Sequence, residues 1–132
     1  MNIEQNTLRR LGIFIVILHA LVITPHSIAH TNLYIAMNNW QNIYIFLVIL
    51  VGPIVSAILL WKRNAVAFIV LAVSMAGAFV FGFYYHFLGI SSDNVFTLPA
   101  GPWTMTFQLT AWLLALTEVA GAVVGLLGAA NR

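Results

Sequence analysis

Four apolar stretches, over about residues 8–30, 43–61, 65–90 and 104–129, are each long enough to carry an α-helix across a membrane. A helix rises 1.5 Å per residue, so roughly 20 residues cross a hydrocarbon layer about 30 Å thick. Composition agrees with that reading. Hydrophobic side chains make up 62% of the 132 residues and charged ones 6%, where a soluble domain carries about a quarter charged residues. The mean hydropathy is +1.00. The expected fold class is therefore all-α: a polytopic membrane protein, built as a single four-transmembrane-helix bundle over residues 1–132.

The charges orient such a bundle. Arg9 and Arg10 precede the first span, Lys62 and Arg63 form the turn between the second and third, and Arg132 ends the chain. With four spans these places share one side, and the two connectors on the other side contain no Lys or Arg. Positive residues are retained on the cytoplasmic face. Both termini are expected in the cytoplasm, with the protein integral to a prokaryotic plasma membrane. Five basic residues against three acidic ones is too small and too scattered an excess for nucleic-acid binding. The expected partners are membrane lipid and other membrane-protein subunits or a second copy of the chain. There is no cysteine, which excludes disulfides, thiolate metal sites, iron–sulfur clusters and cysteine catalysis.

The opening segment can also be read as a secretory signal. It has a basic start, an apolar run from Leu11 to Ile23, and Ser27 and Ala29 at the spacing a signal peptidase prefers. A first span to about His30 accounts for the same residues, and whether residues 1–29 are ever cleaved stays open. Two prolines fall within spans. Pro25 is expected to free the carbonyl of Leu21 and kink the first helix, and Gly52-Pro53 to kink the second.

Polar residues inside such spans are the places to look for chemistry. Three of the four histidines, His19, His26 and His30, follow one another at intervals of seven and four and share one helix face. Counting rise from the arginine-rich side puts His26 roughly 27 Å deep, and His30, His86 and Gln108 roughly 33 Å. Asp93 lies in the loop just beyond. His19 and Glu118 each lie roughly 16 Å deep, near the bilayer midplane. The one stripe thus resolves into an outer cluster and a midplane pair.

His26 and His30 in an H-x-x-x-H pattern can clasp one metal ion, with His86 as a third ligand and Gln108 or Asp93 completing the shell. Three imidazoles suit copper, iron or zinc; haem b is an alternative, taking one axial histidine from each of two helices. The competing reading is of wet interfacial histidines with no cofactor. Glu118 shares a stripe with Ala111, Gly121 and Gly125, so it is expected to face the bundle. With His19 it is either a proton-carrying pair or a tie between two helices. The E-x-x-G-x-x-x-G ending of the fourth span, with short basic caps, is similar to small four-span families such as the DoxX-like proteins. That similarity covers one helix and assigns no residue a role.

The leading expectation is a small membrane protein whose outer histidine site binds a transition metal or one haem, as a subunit or assembly partner of a redox complex. The alternatives are a structural accessory subunit without chemistry of its own, and a small proton-coupled transporter using His19 and Glu118.

Overall fold

The computed structural model describes residues 3–131, which form four helices and their connecting turns. We number them α1 (Ile3–Asn32), α2 (Asn39–Trp61), α3 (Ala67–Leu88) and α4 (Thr104–Ala130). All four are long and apolar enough to cross a membrane. Arg132 and its place in the charge pattern lie outside the described residues.

Two helices begin earlier than hydropathy alone suggests, because polar side chains stabilise their ends. In α1, Glu4 sits in the first turn, where a negative charge meets the positive end of the helix dipole. Glu4 also accepts from Asn131 Nδ2 at 3.0 Å, and Gln5 donates to the Asn131 carbonyl at 2.6 Å. These bonds tie the start of α1 to the end of α4. In α2, the Asn38 side chain accepts from the Gln41 N–H at 3.0 Å while Gln41 Oε1 accepts from the Asn38 N–H at 2.9 Å. This reciprocal capping turns amides that read as connector into the first turn of a helix. Two residues beyond the ends of α1 and α2 the chain enters the left-handed region, at Tyr34 (φ 54) and Arg63 (φ 55). The N–H groups of Ile35 and Asn64 then reach back to the carbonyls of His30 and Leu59.

α1 runs helically through Pro25. In α2 the proline matters more. The helix widens to π geometry over Ile45–Val51 and returns to α geometry at Gly52, with Pro53 in its first turn. Pro53 has no N–H to give, so the carbonyl of Ile49 loses its usual donor. His19 of α1 supplies one, its Nε2 lying 3.3 Å from the Ile49 oxygen. α3 also ends in π geometry, over Tyr84–Leu88.

α4 is the central helix, packed along both α1 and α3. The second half of α2 packs on α1 and α3. Its first half leans on α3 through large aromatics: Tyr44 stacks on Phe81 at 4.9 Å and donates its hydroxyl to the Gly77 carbonyl at 3.1 Å. Near the end holding residues 91–103, α1 and α2 therefore stand apart. The core is layered, from Ile15, Leu60, Leu71, Met75 and Val124 beside the Lys62-Arg63 turn, through Ile23, Ile49, Phe81 and Leu114, to Ala29, Val95, Phe107 and Ala111.

The closest helix approach is α3 against α4. A Cβ added at Gly125 would lie 2.5 Å from the Ala72 nitrogen and 2.7 Å from its Cα, and backbone atoms cannot move aside. Small residues at this spacing let the helix axes come together. Gly125→Ala is expected to destabilise the protein by about 1–3 kcal/mol through overpacking, read as a lower thermal unfolding midpoint in detergent. Leu126→Ala, on an exposed position beside it, should leave the midpoint nearly unchanged.

Candidate functional site

The site forms where α1 and α2 diverge. Phe107 of α4 is fully buried, and three imidazoles pack around its ring. Ring centroids lie 4.6 Å away for His26, 5.5 Å for His30 and 5.3 Å for His86. His26 and His30 are one turn apart on α1, so both reach the same phenyl ring. His86 arrives from the π-helical end of α3, its centroid 5.0 Å from that of His26; the His26 and His30 centroids are 6.0 Å apart.

The loop after α3 folds back over this cluster. The Gly89 N–H closes the π turn on the Tyr84 carbonyl, Ser91 Oγ donates to the Tyr85 carbonyl, and the Val95 N–H donates to the His86 carbonyl at 2.9 Å. Val95, 2% exposed, plugs the bundle end beside Ala29. Gln108 donates to the Val95 carbonyl at 2.7 Å, so it supports this plug. The same fold brings Asp93 inward. Its Oδ2 lies 3.4 Å from His86 Nδ1 and 3.8 Å from His30 Nε2. Burial alone would raise the Asp93 carboxyl, but the neighbouring His30 and His86 imidazoles and the Ser91 hydroxyl hold it below the usual carboxylate range.

The hydrogen bonds determine the tautomers of two of these rings. The Thr110 hydroxyl has one proton and two backbone carbonyls within reach, those of Thr106 at 2.6 Å and Phe107 at 3.1 Å. With that proton on a carbonyl, Thr110 accepts from His26 Nδ1, 2.9 Å away. This pairing satisfies every group and puts the His26 proton on Nδ1. His86 Nδ1 faces the Asp93 carbonyl oxygen at 3.2 Å, which also only accepts. In the neutral state both rings keep a bare lone pair on Nε2.

Below the cluster lies a cavity of about 230 Å³. Its walls include Ile23, His26, His30, Phe81, His86 and Glu118. Glu118 is 3% exposed. His19 Nδ1 stands 4.0 Å from its Oε1, too far for a hydrogen bond, and the carboxyl has no other hydrogen-bond partner among the described residues. Gly82 separates the two polar ends. A Cβ there would stand 3.7 Å from His86 Cδ2 and 3.8 Å from Glu118 Oε2. The missing side chain leaves the two levels in one space.

Every residue singled out from the sequence thus has a place. His26, His30, His86 and Asp93 come together, Glu118 faces the same cavity, Gln108 braces the loop, and His19 serves the Ile49 carbonyl. Among the described residues no group of three or more His, Cys, Asp or Glu is arranged as it stands to hold a metal ion. Thr110, Phe107 and Gly82 were not singled out. Phe107 was readable, since 107, 111, 114 and 118 follow helical spacing on the face of Glu118; the hydroxyl of Thr110 and the gap at Gly82 gain meaning only from helices distant in sequence. No family model, curated protein or solved structure matches the chain.

Thr110→Val should leave the buried His26 Nδ1–H without an acceptor and cost about 1–3 kcal/mol, measured as a lower unfolding midpoint at neutral pH. Asp93 gives a second test. A carboxyl whose folded value is depressed stabilises the fold above its unfolded value, about pH 4, and that contribution is lost as pH falls through the folded value. Stability of the wild type in detergent should decline below about pH 4, and Asp93→Asn should flatten that part of the profile.

Proposed function

We propose that this chain is an integral membrane protein whose histidine cluster binds one transition-metal ion near the outer leaflet, serving redox chemistry as a subunit or assembly partner of a larger membrane complex. The observation that carries the reading is that the rings of His26 and His86, 5.0 Å apart, each have Nδ1 against an oxygen, which leaves both Nε2 atoms for a ligand. Each ring donates its Nδ1 proton to an oxygen, Thr110 Oγ1 or the Asp93 carbonyl, the outer-shell arrangement usual for metal-ligating imidazoles. An ion about 2.0–2.1 Å from each Nε2 would sit about 3.2 Å from each ring centroid. With both Nε2 atoms turned to one ion, centroids 5.0 Å apart would subtend about 100° there, a spacing compatible with tetrahedral coordination.

His30 Nε2, buried without a hydrogen-bond partner among the described residues, is the available third ligand and must swing towards the ion, while Asp93, 3.4 Å from His86 Nδ1, acts on the Nδ1 side of that ring, from the outer shell. Copper, iron or zinc suits imidazole donors. Haem b is less well supported. Its two axial imidazoles would face each other across the porphyrin, about 6.4 Å between centroids, whereas Phe107 occupies the centre of this cluster.

The outward placement rests on charge. Arg9 and Arg63 converge on the end of the bundle opposite Asp93, and retention of positive residues in the cytoplasm supports a reading with both termini inside. The proton-carrier reading of His19 is weakened by its bond to Ile49, which gives that ring a structural task.

The test is metal content. After incubation with Cu(II), Zn(II) or Fe(II) in turn and removal of excess, the wild type should retain about one ion per chain by elemental mass spectrometry. The double variant His26→Ala, His86→Ala should retain none, and Asp93→Asn should bind about 10–100-fold more weakly. Equal loading of the wild type and the double variant would overturn the reading, and a wild type that retains no ion would favour a structural accessory subunit.

A further inference from the structure

The cavity has a use that ion binding does not explain. Glu118 lies deep in it, buried, with no hydrogen-bond partner among the described residues. An unpaired polar group in such surroundings is unfavourable. A carboxyl accepts a hydrogen bond in either protonation state. At the other end, the neutral rings of His26 and His86 also offer acceptors, their Nε2 lone pairs. The polar groups at both ends thus ask for donors, while the walls between, with Ile23, Ile49, Phe81 and Leu114, are apolar.

Size and access narrow the occupant. An engineered cavity of about 150 Å³ takes one benzene ring, so about 230 Å³ suits a single substituted ring and is small for anything larger. The exposed wall residues are Ser27 and Thr31 of α1, facing half-buried Met37, just before α2, and Ile45 in its first half, so the cavity opens where α1 and α2 stand apart. In helices long and apolar enough to cross a membrane, an opening at this level meets lipid chains. A ring that enters there must dissolve in hydrocarbon, and a tail attached to it can remain outside.

We infer that the cavity binds the ring of a lipid-soluble hydroquinone, with one hydroxyl donating to the Glu118 carboxyl and the opposite hydroxyl turned to the histidine cluster. A hydroquinone presents a donor at each end of one ring. The corresponding quinone presents only acceptors: a protonated Glu118 could donate to one of its carbonyls, but the bare Nε2 atoms at the other end have nothing to give it, so the site favours the reduced form. The inference uses the same histidine cluster as the ion-binding reading and names the substrate class for it. It requires no ion: in the metal-free protein the second hydroxyl meets an imidazole lone pair, and in the loaded protein it faces the ion.

Binding is measured on the full chain in detergent, treated with chelator and kept anaerobic, so that its outcome is separate from metal loading. The probes are 2,3-dimethylhydroquinone, its dimethyl ether, which keeps the ring and loses both donors, and 2,3-dimethylbenzoquinone. Isothermal titration reports affinity. Quenching of Trp112 is a second readout, because Trp112 packs at 4.3 Å on Phe87, a cavity wall residue. The hydroquinone should bind at least tenfold more tightly than the ether or the quinone. Glu118→Leu, similar in size but without an acceptor, should lose at least tenfold in hydroquinone affinity. Gly82→Ala should weaken binding several-fold, and its methyl makes only ordinary contacts, so this variant keeps the test valid if Glu118→Leu does not fold. Equal affinity for hydroquinone and ether would mean apolar filling alone and would overturn the inference. So would wild-type affinity in Glu118→Leu or Gly82→Ala. Loss of ion binding in the histidine double variant alongside ether-insensitive probe binding would sink this inference and leave the metal reading standing.

Discussion

Hydrocarbon offers no hydrogen bonds, and that constraint explains the polar residues of this protein better than any motif does. A backbone or side-chain polar group inside such a bundle must find its partner in the protein. The clearest case joins three residues far apart in the chain. Pro53 deprives the Ile49 carbonyl of its donor, α2 widens into a π segment around the break, and His19 of α1 reaches across to donate. Thr110 plays a similar part for His26, and the Asp93 carbonyl for His86. Each bond also leaves a defined nitrogen bare, so satisfying the backbone and shaping the site are the same act.

Among the described residues the buried side-chain atoms without a hydrogen-bond partner are Arg9 Nε near the Lys62-Arg63 turn, His19 Nδ1 at mid-depth, and His30 Nε2 and Asp93 Oδ2 in the outer cluster. His30 Nε2 and Asp93 Oδ2 face each other at 3.8 Å, and the Glu118 carboxyl looks into the cavity that reaches the same cluster. Packing is tightest where Gly125 meets the backbone of Ala72, and a second cavity of about 290 Å³ lies among Arg9, Arg63 and Phe68 at the opposite end. At the outer end, a cavity of about 230 Å³ lies beside three imidazoles, a buried carboxyl and the unpaired atoms of His30 and Asp93. That coincidence supports a bound species at this place more strongly than histidine count alone.

Much of this was legible in the sequence. The four helices follow from apolar run length, and the inward face of Glu118 from its stripe of Ala111, Gly121 and Gly125, all buried. The shared level of His26, His30, His86 and Gln108 follows from counting rise along helices of known direction, with Asp93 in the loop just beyond. Less legible were the helix starts, because the Asn38–Gln41 box is a pair of side-chain hydrogen bonds written in residues that also make good loops. The separation of an outer cluster from a midplane pair also needed revising. Rise along an axis measures depth but says nothing of empty space, and the glycine at position 82 joins the two levels.

What the sequence by itself determined is the set of elements and their order, since hydrophobic length and polar spacing are local properties that no packing arrangement can change. Tertiary structure alone decided which atoms of those residues remain free. The tautomers of His26 and His86 depend on a hydroxyl and a carbonyl from other segments, the task of His19 depends on a proline 34 positions away, and the cavity exists because α2 leans on α3 and leaves α1. These are relations between surfaces brought together only by folding.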